Sequence, residues 1–239
     1  MRLDDVDPRE PGPGEVVIDV EATGLNFADN LVIAGHYQER PPLPYTPGLE
    51  ASGGWSRPGA EALAGRRVVA GPLVSDGGGL AELIICDADR VFPIPDSLRP
   101  AAAAALHNNY QTGWIALHHR TCVGPEDVLL VHTGAGGVGS AAIQVGLAAG
   151  ARVFATAGGP QKVAICRDLG VDVVSDYTTE DFVEAVKDAT AGRGVDIVYD
   201  PVVGDISTGP PRASRSRDGS SLSASRAGAS RRCPSTNRW

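Results

Sequence analysis

Lysine is nearly missing from this chain of 239 residues: Lys162 and Lys187 stand alone against nineteen arginines, and there is a single methionine. Acids outnumber bases, 29 to 21, for a formal charge of −8. That balance excludes a general attraction to nucleic acid or to an anionic membrane surface. No apolar run approaches the ~20 residues needed to span a bilayer. The opening, with Asp4, Asp5 and Asp7, is not that of a signal peptide. The expectation is a cytoplasmic protein with no membrane partner and no nucleic-acid partner. The four cysteines, Cys86, Cys122, Cys166 and Cys233, form no C-x-x-C pair, so their spacing offers neither a zinc lobe nor a disulfide framework. What is present in quantity is apolar residue, 42% of the chain, enough for one large domain or two modest ones.

The most informative stretch is VLLVHTGAGGVGSAAIQ, Val128 to Gln144. Val128 to Val131 is a short unbroken apolar run, as a strand covered on both faces of a parallel sheet requires. Gly134, Gly136 and Gly139 follow with G-x-G-x-x-G spacing. In that pattern the first glycine permits a tight turn, the second lets backbone approach a pyrophosphate, and the third lets helix and strand pack closely. The N–H groups at the start of the next helix, near Gly137 and Val138, would hold the phosphate charge. A glycine turn alone is weak, but strand-like runs at Arg152–Ala155, Val171–Val174 and Val195–Tyr199 alternate with helical stretches at Pro160–Leu169 and Glu180–Ala189. That alternation predicts a doubly wound parallel sheet, hence an α/β Rossmann domain.

Before residue 95 the pattern differs. Glu15–Thr23, Leu49–Gly53, Gly65–Gly71 and Gly77–Arg90 read as strands set off by turns, and Gly24–Gly35 reads as a short helix or loop. His36 to Gly48 carries Pro41, Pro42, Pro44 and Pro47, which bars a helix and predicts an extended, structured loop. Pro100 to Leu117 reads as a helix broken near Asn108 to Tyr110. All-β character followed by α/β character predicts two domains.

The motifs GLNFAD (Gly24–Asp29), GHYQERPPLPYTPGLEASG (Gly35–Gly53), NYQTGWIALHHR (Asn109–Arg120), the glycine turn and YDPVVGD (Tyr199–Asp205) together resemble the medium-chain dehydrogenase/reductase superfamily. Within it, the chain resembles the zinc-free NADPH:quinone oxidoreductase, zeta-crystallin-like branch. The resemblance implies a GroES-like β-barrel domain over residues 1–99, lacking the family's usual first strand, and a partial Rossmann domain over 100–205. It further implies hydride transfer from NADPH to quinones or α,β-unsaturated carbonyls, and a family habit of dimerising through a Rossmann strand that this chain lacks. Asn26, Asp29 and Tyr37 would line the substrate side, while Asn109 and Thr112 would hold the nicotinamide. Zinc-dependent relatives want Gly-His-Glu where this chain has Gly48-Leu49-Glu50, and leucine cannot ligate a metal.

Each residue also has a plainer reading. Tyr37 could donate to a substrate oxygen as charge develops there, or pack into the proline-rich loop. Asn26 and Asp29 could be turn formers bonding their own backbone. His118 and His119 read best as a solvated helix end. For cofactor choice, the segment about 20 residues past the turn, where NAD enzymes place an acid, is ATAGG at Ala155–Gly159 with Lys162 close behind. A lysine without a neighbouring acid favours the 2'-phosphate of NADPH; a solvated surface lysine is the alternative.

Residues 206–239 hold seven Arg, nine Ser and one acid. Such composition buries no core and predicts a disordered tail. One reading is an RNA-binding tail. The other is a frameshift or truncation shortly after Asp205, since GC-rich codons for Leu222–Pro234, read from the third base, give Val-Gly-Phe-Ala-Ser-Gly, a family-like strand end. The second reading predicts impaired turnover or NADPH binding without chemistry, and a sheet with an exposed edge at its fourth strand.

Overall fold

The computed structural model describes residues 2–55, 65–201 and 223–226. The chain divides into two compact units, Met1–Asn108 and Asn109–Trp239, a little beyond residue 99, where the sequence placed the boundary.

The first unit is built on a five-stranded antiparallel sheet. Its strands are β1 (Glu15–Gly24), β2 (Glu50–Trp55), β3 (Arg67–Ala70), β4 (Leu83–Asp87) and β5 (Val91–Pro93), in the order β4-β1-β2-β3-β5. Alternation sets the inward face: Val16 and Ile18, Val68 and Ala70, Ile84 and Cys86 enter one core with Ala51, Trp55 and Val91, as a period of two demands. Between β1 and β2 lie helix α1 (Phe27–Ile33) and the proline-rich segment, which adopts no regular element. A smaller cluster of Val32, Leu49 and Val74, with Tyr37 and Tyr45 packed on it, anchors that segment.

The expected connecting helix is two helices, α2 (Pro100–Ala104) and α3 (His107–Trp114), running on into a π-helical turn, Ile115–Arg120. The break falls at Ala105–Leu106, earlier than Asn108 to Tyr110. Its cause is visible: the Asn108 N–H, in the first turn of α3, donates to a Glu50 carboxylate oxygen at 2.8 Å. A carboxylate at that position satisfies a donor that has no helical acceptor and so favours a fresh helix start.

The second unit has the doubly wound sheet. Strands β6 (Val128–Val131), β7 (Arg152–Ala157), β8 (Val173–Asp176) and β9 (Ile197–Asp200) are parallel. Helices α4 (Gly137–Ala148) and α5 (Pro160–Asp168) cover one face, sharing a core with Leu129, Val131, Val153 and Tyr199. Helix α6 (Phe182–Ala189) covers the other, over Val128, Leu130 and Phe154. Strands buried on both faces explain why β6 reads as an unbroken apolar run.

One departure concerns the tail. Ser223–Arg226 form a strand, β10, antiparallel to β9, with Ser223 opposite Asp200 and Arg226 opposite Ile197, so the sheet runs β10-β9-β6-β7-β8. Those four residues pair as a strand, so β9 has a neighbour on that side. Backbone pairing requires only free N–H and C=O groups, which a Ser/Arg-rich composition does not remove. The rest of 206–239 lies outside the described residues.

Candidate functional site

Dinucleotide turn and the ends of the parallel strands. The chain leaves β6 at His132 and turns through Thr133, whose φ of 51° lies in the left-handed region. The strained residue is thus Thr133 and not, as the spacing implies, the first glycine. Gly134 serves packing instead: a β-carbon there would meet Ala155 and Cys166 at 2.9 Å and Ile143 at 3.0 Å. Gly139 faces the Thr133 carbonyl too closely for any β-carbon, which is the close helix–strand contact expected of the third glycine. Gly136 is different. Its hypothetical β-carbon meets only the Thr133 oxygen, at 3.3 Å, and both Gly136 and Gly137 are exposed. Packing thus requires glycine less strictly at Gly136 than at Gly134 or Gly139.

Gly136 caps α4 in extended conformation, so the N–H groups of Gly137, Val138 and Gly139 begin a 12-residue helix without intrahelical acceptors. Helix α3 lies beside them: a β-carbon on Gly113 would stand 3.5 Å from the Ala142 backbone, an ordinary contact. One turn earlier on the same face, Asn109 presents its side-chain oxygen 3.0 Å from where a Gly137 β-carbon would stand. Asn109 and the glycine turn, far apart in sequence, are therefore brought together. Thr112 lies half-buried on the same helix.

At the end of β7, Gly158 and Gly159 (φ 86°) lead into α5, with Pro160 in its first turn. Lys162 is exposed in that turn. The Tyr177 hydroxyl lies over Gly158, 2.5 Å from a hypothetical β-carbon. Asp176, the last residue of β8, accepts the Gly159 N–H at 3.0 Å on Oδ1. Hydrogen bonds from the Thr178 hydroxyl first, then from the Gly159 and Thr178 N–H groups, hold its carboxyl below the usual range. An acid does therefore stand near the end of the second strand, delivered by the third. Sequence spacing along β7 alone could not find it.

Beneath the turn, His132 is buried and its Nδ1 lies 3.0 Å from the Thr156 hydroxyl. Burial pushes the imidazole below its ordinary range, against the opposing charge of Asp200.

Acid–amide cluster of the first unit. Asp29 is buried, 3% exposed. One oxygen accepts the Asn26 N–H at 2.7 Å and the other the Gly48 N–H at 2.9 Å. This is the turn-forming arrangement: Asp29 ties the start of α1 to the segment before β2. Asn26 bonds outward, its side-chain amide donating to Glu50 Oε1 at 2.8 Å. Glu50 is 1% exposed. Burial raises its carboxyl above the usual range, while donation from Asn108 and Asn26 opposes that rise and Asp29 adds to it. Glu50 is the residue that sequence reasoning missed, having noted it only as the neighbour of a leucine. Tyr37 is half-buried against Val32, Leu49 and Val74. His118 and His119 lie in the last turn of the π-helical segment, His119 exposed and His118 half-buried; the His118 ring is tilted against Trp114 at 4.0 Å, and burial lowers its basicity. The two rings are four residues apart on one helical face, the spacing at which side chains meet.

Residues 12–96 match the alcohol dehydrogenase GroES-like domain, and residues 137–208 the zinc-binding dehydrogenase family. The chain belongs to the medium-chain dehydrogenase/reductase superfamily. Its first unit is the GroES-like domain and its second the Rossmann-like one. Quinone oxidoreductase-like protein 2 of Rattus norvegicus is 37% identical over 210 residues, which cover 86% of this chain and 59% of that protein. Among solved structures, the quinone oxidoreductase of Thermus thermophilus, known also in complex with NADPH, is 36% identical with a TM-score of 0.71. That match covers 82% of this chain and 61% of the other. CurK enoyl reductase is 32% identical with a TM-score of 0.73, covering 82% and 61%. This member of the superfamily thus spans about three-fifths of the length of these relatives. Among the described residues, no group of three or more His, Cys, Asp or Glu side chains could hold a metal ion. No helix among them is long and apolar enough to cross a membrane.

Proposed function

We propose that this chain is a cytoplasmic, NADPH-dependent, zinc-independent oxidoreductase that passes hydride to quinones or α,β-unsaturated carbonyl compounds. The observation that carries the proposal is the exposed Gly136–Gly137 step at the head of α4, beside the point where the strand order reverses between β6 and β9. Dinucleotides bind at that point in doubly wound sheets, and the helix start supplies N–H donors for a pyrophosphate. NADPH supplies the hydride when bound; the protein's own part is to position it and exclude water.

Gly134, Gly136, Gly137, Val138 and Gly139 would form the pyrophosphate cradle. Asn109 and Thr112 would flank the nicotinamide end, and Lys162, with Tyr177 beside Gly158, would meet the 2'-phosphate. The NADPH complex of the Thermus relative supports the cofactor. On the substrate side, Tyr37 would donate to the substrate oxygen, Asn26 would be aimed by its bond to Glu50, and Asp29 would hold the Asn26 and Gly48 backbone in place. Leu49 before Glu50 supports zinc independence, because a leucine offers no ligand atom.

The test is titration of the chain with NADPH, followed by NADPH consumption across a panel of quinones and enones. Saturable binding with consumption is expected. Binding without consumption would reduce the proposal to a cofactor-binding protein, and no binding would overturn it.

A further inference from the structure

The end of β8 carries more hydrogen bonding than a strand end needs. Asp176 Oδ1 accepts three donors: the Gly159 N–H at 3.0 Å, the Thr178 N–H at 3.0 Å and the Thr178 hydroxyl at 2.6 Å. The Asp176 carbonyl accepts the N–H groups of Thr179 and Glu180 at 3.0 and 2.8 Å. Meanwhile the Tyr177 N–H reaches the Ala157 carbonyl at 3.1 Å, extending the ladder between β7 and β8 by one residue. These bonds converge on one piece of backbone. Tyr177 is laid over Gly158, Gly159 is held at φ 86°, and α5 begins with its capping N–H already taken by a side chain of the neighbouring strand.

We propose that Asp176 is a positioning residue for the 2'-phosphate end of NADPH, and that it sets the preference for NADPH over NADH by locking the Gly158–Gly159 turn between Tyr177 and the first turn of α5. This rests on the dinucleotide reading above. Two physical effects compete. An ionised carboxylate near a phosphate repels it, whereas a carboxylate that organises the phosphate's surroundings favours it. The hydrogen-bond geometry decides for the second. Three donors converge on Oδ1, and in a partly exposed position the residual charge is screened by water and salt. The two bonds to Thr178 close an Asx-type turn that fixes the backbone just past Tyr177. Position is therefore the larger contribution, and the 2'-phosphate is the part of the cofactor that feels it.

The experiment is titration of the full chain with NADPH and with NADH, and with the fragments adenosine 2',5'-bisphosphate and AMP, for wild type, Asp176→Ala and Asp176→Asn. Asp176→Ala should weaken NADPH and the bisphosphate by about tenfold, the scale of one lost charge-assisted bond. NADH and AMP should shift by less than about twofold, within the scatter of a surface change. Asp176→Asn keeps an oxygen acceptor for Gly159 and Thr178, and should restore most of the preference without the charge. If both variants bind NADPH more tightly, the carboxylate acts by repulsion and the proposal is overturned. Equal losses for NADPH and NADH, or no loss in either variant, also overturn it. If the wild type binds neither dinucleotide, the cofactor reading itself falls, an outcome distinct from the others. Far-ultraviolet circular dichroism of each variant separates unfolding from a local change.

Discussion

The α-carbon of Gly139 rests against the carbonyl oxygen of Thr133, with no room for a β-carbon between them. At Gly136, earlier in the same turn, a β-carbon would meet the same oxygen at 3.3 Å, a tight contact but a far milder one. This contrast separates folding from binding within one motif. Gly139→Ala forces the head of α4 away from β6 and should destabilise the chain by about 1–3 kcal/mol, the cost of overpacking a tight site. Gly136→Ala meets one oxygen at 3.3 Å and should lower the melting temperature less than Gly139→Ala while, on the proposed dinucleotide reading, weakening NADPH about tenfold or more, since a methyl group would stand where a pyrophosphate would approach. Thermal melts and cofactor titration of the two variants check this directly. Equal effects of both on stability would refute it.

Tyr199 provides a stability test in the opposite direction. Its side chain is fully buried, and among the described residues its hydroxyl has no hydrogen-bond partner. Burial raises its pKa well above the ordinary phenolic value, so the group is a neutral, undersatisfied donor. Tyr199→Phe should be neutral or stabilising by up to about 1 kcal/mol, because a buried donor without a partner bears a desolvation cost that phenylalanine lacks. A clear loss of stability in urea unfolding would reveal a bond that the geometry does not contain.

Glu50 should behave as a structural anchor with a functional consequence. Glu50→Ala leaves the Asn26 amide and the Asn108 N–H without their acceptor, at a cost of about 1–3 kcal/mol for each donor that stays buried. Asn26→Ala, which removes one donor and leaves Glu50 with the other, should cost less. A double-mutant cycle on these residues, followed by urea unfolding, measures the coupling, which should lie between about 0.5 and 3 kcal/mol.

Glu15 carries the pH dependence. Arg9 grips its carboxylate with two bonds, at 2.5 and 2.6 Å, and the Gly12 N–H adds a third at 2.6 Å. Hydrogen bonding to Arg9, then to Gly12, lowers its pKa from 4.5 to about 2. A carboxyl whose folded pKa is depressed stabilises the fold above its unfolded pKa and loses that contribution as pH falls toward the folded value. The difference in melting temperature between wild type and Glu15→Gln should therefore be constant above pH 4.5 and shrink toward pH 2. Because the pair is exposed, the difference should be small and should diminish with salt. A gap that widens on acidification would contradict the assignment.

The parallel sheet was readable from local pattern because its strands are buried on both faces. Val128–Val131 has the same bounds by apolar run and by hydrogen bonding, and α5 begins at Pro160, where its proline predicts. What escaped local reading was made by distance. Glu50 acquires its role from Asn26 and Asn108, 24 and 58 residues away. Asp176 reaches back 17 residues to Gly159. The spacing of the glycines located the turn but not its left-handed residue, which is Thr133, because the glycine at Gly134 is required by packing against Ala155, Cys166 and Ile143 and not by φ. The antiparallel β10 had no signal at all: a four-residue edge strand needs partners more than composition.

That strand has a topological consequence. A parallel neighbour for β9 would need a crossover, carrying the chain across a face of the sheet to restart at the opposite end. Since Ser223 pairs with Asp200, the chain departs and re-enters at the same rim, the one that bears the glycine turn. The antiparallel partner thus closes the β9 edge from the glycine-turn rim, and the parallel rungs that join β9, β6, β7 and β8 are left as they are.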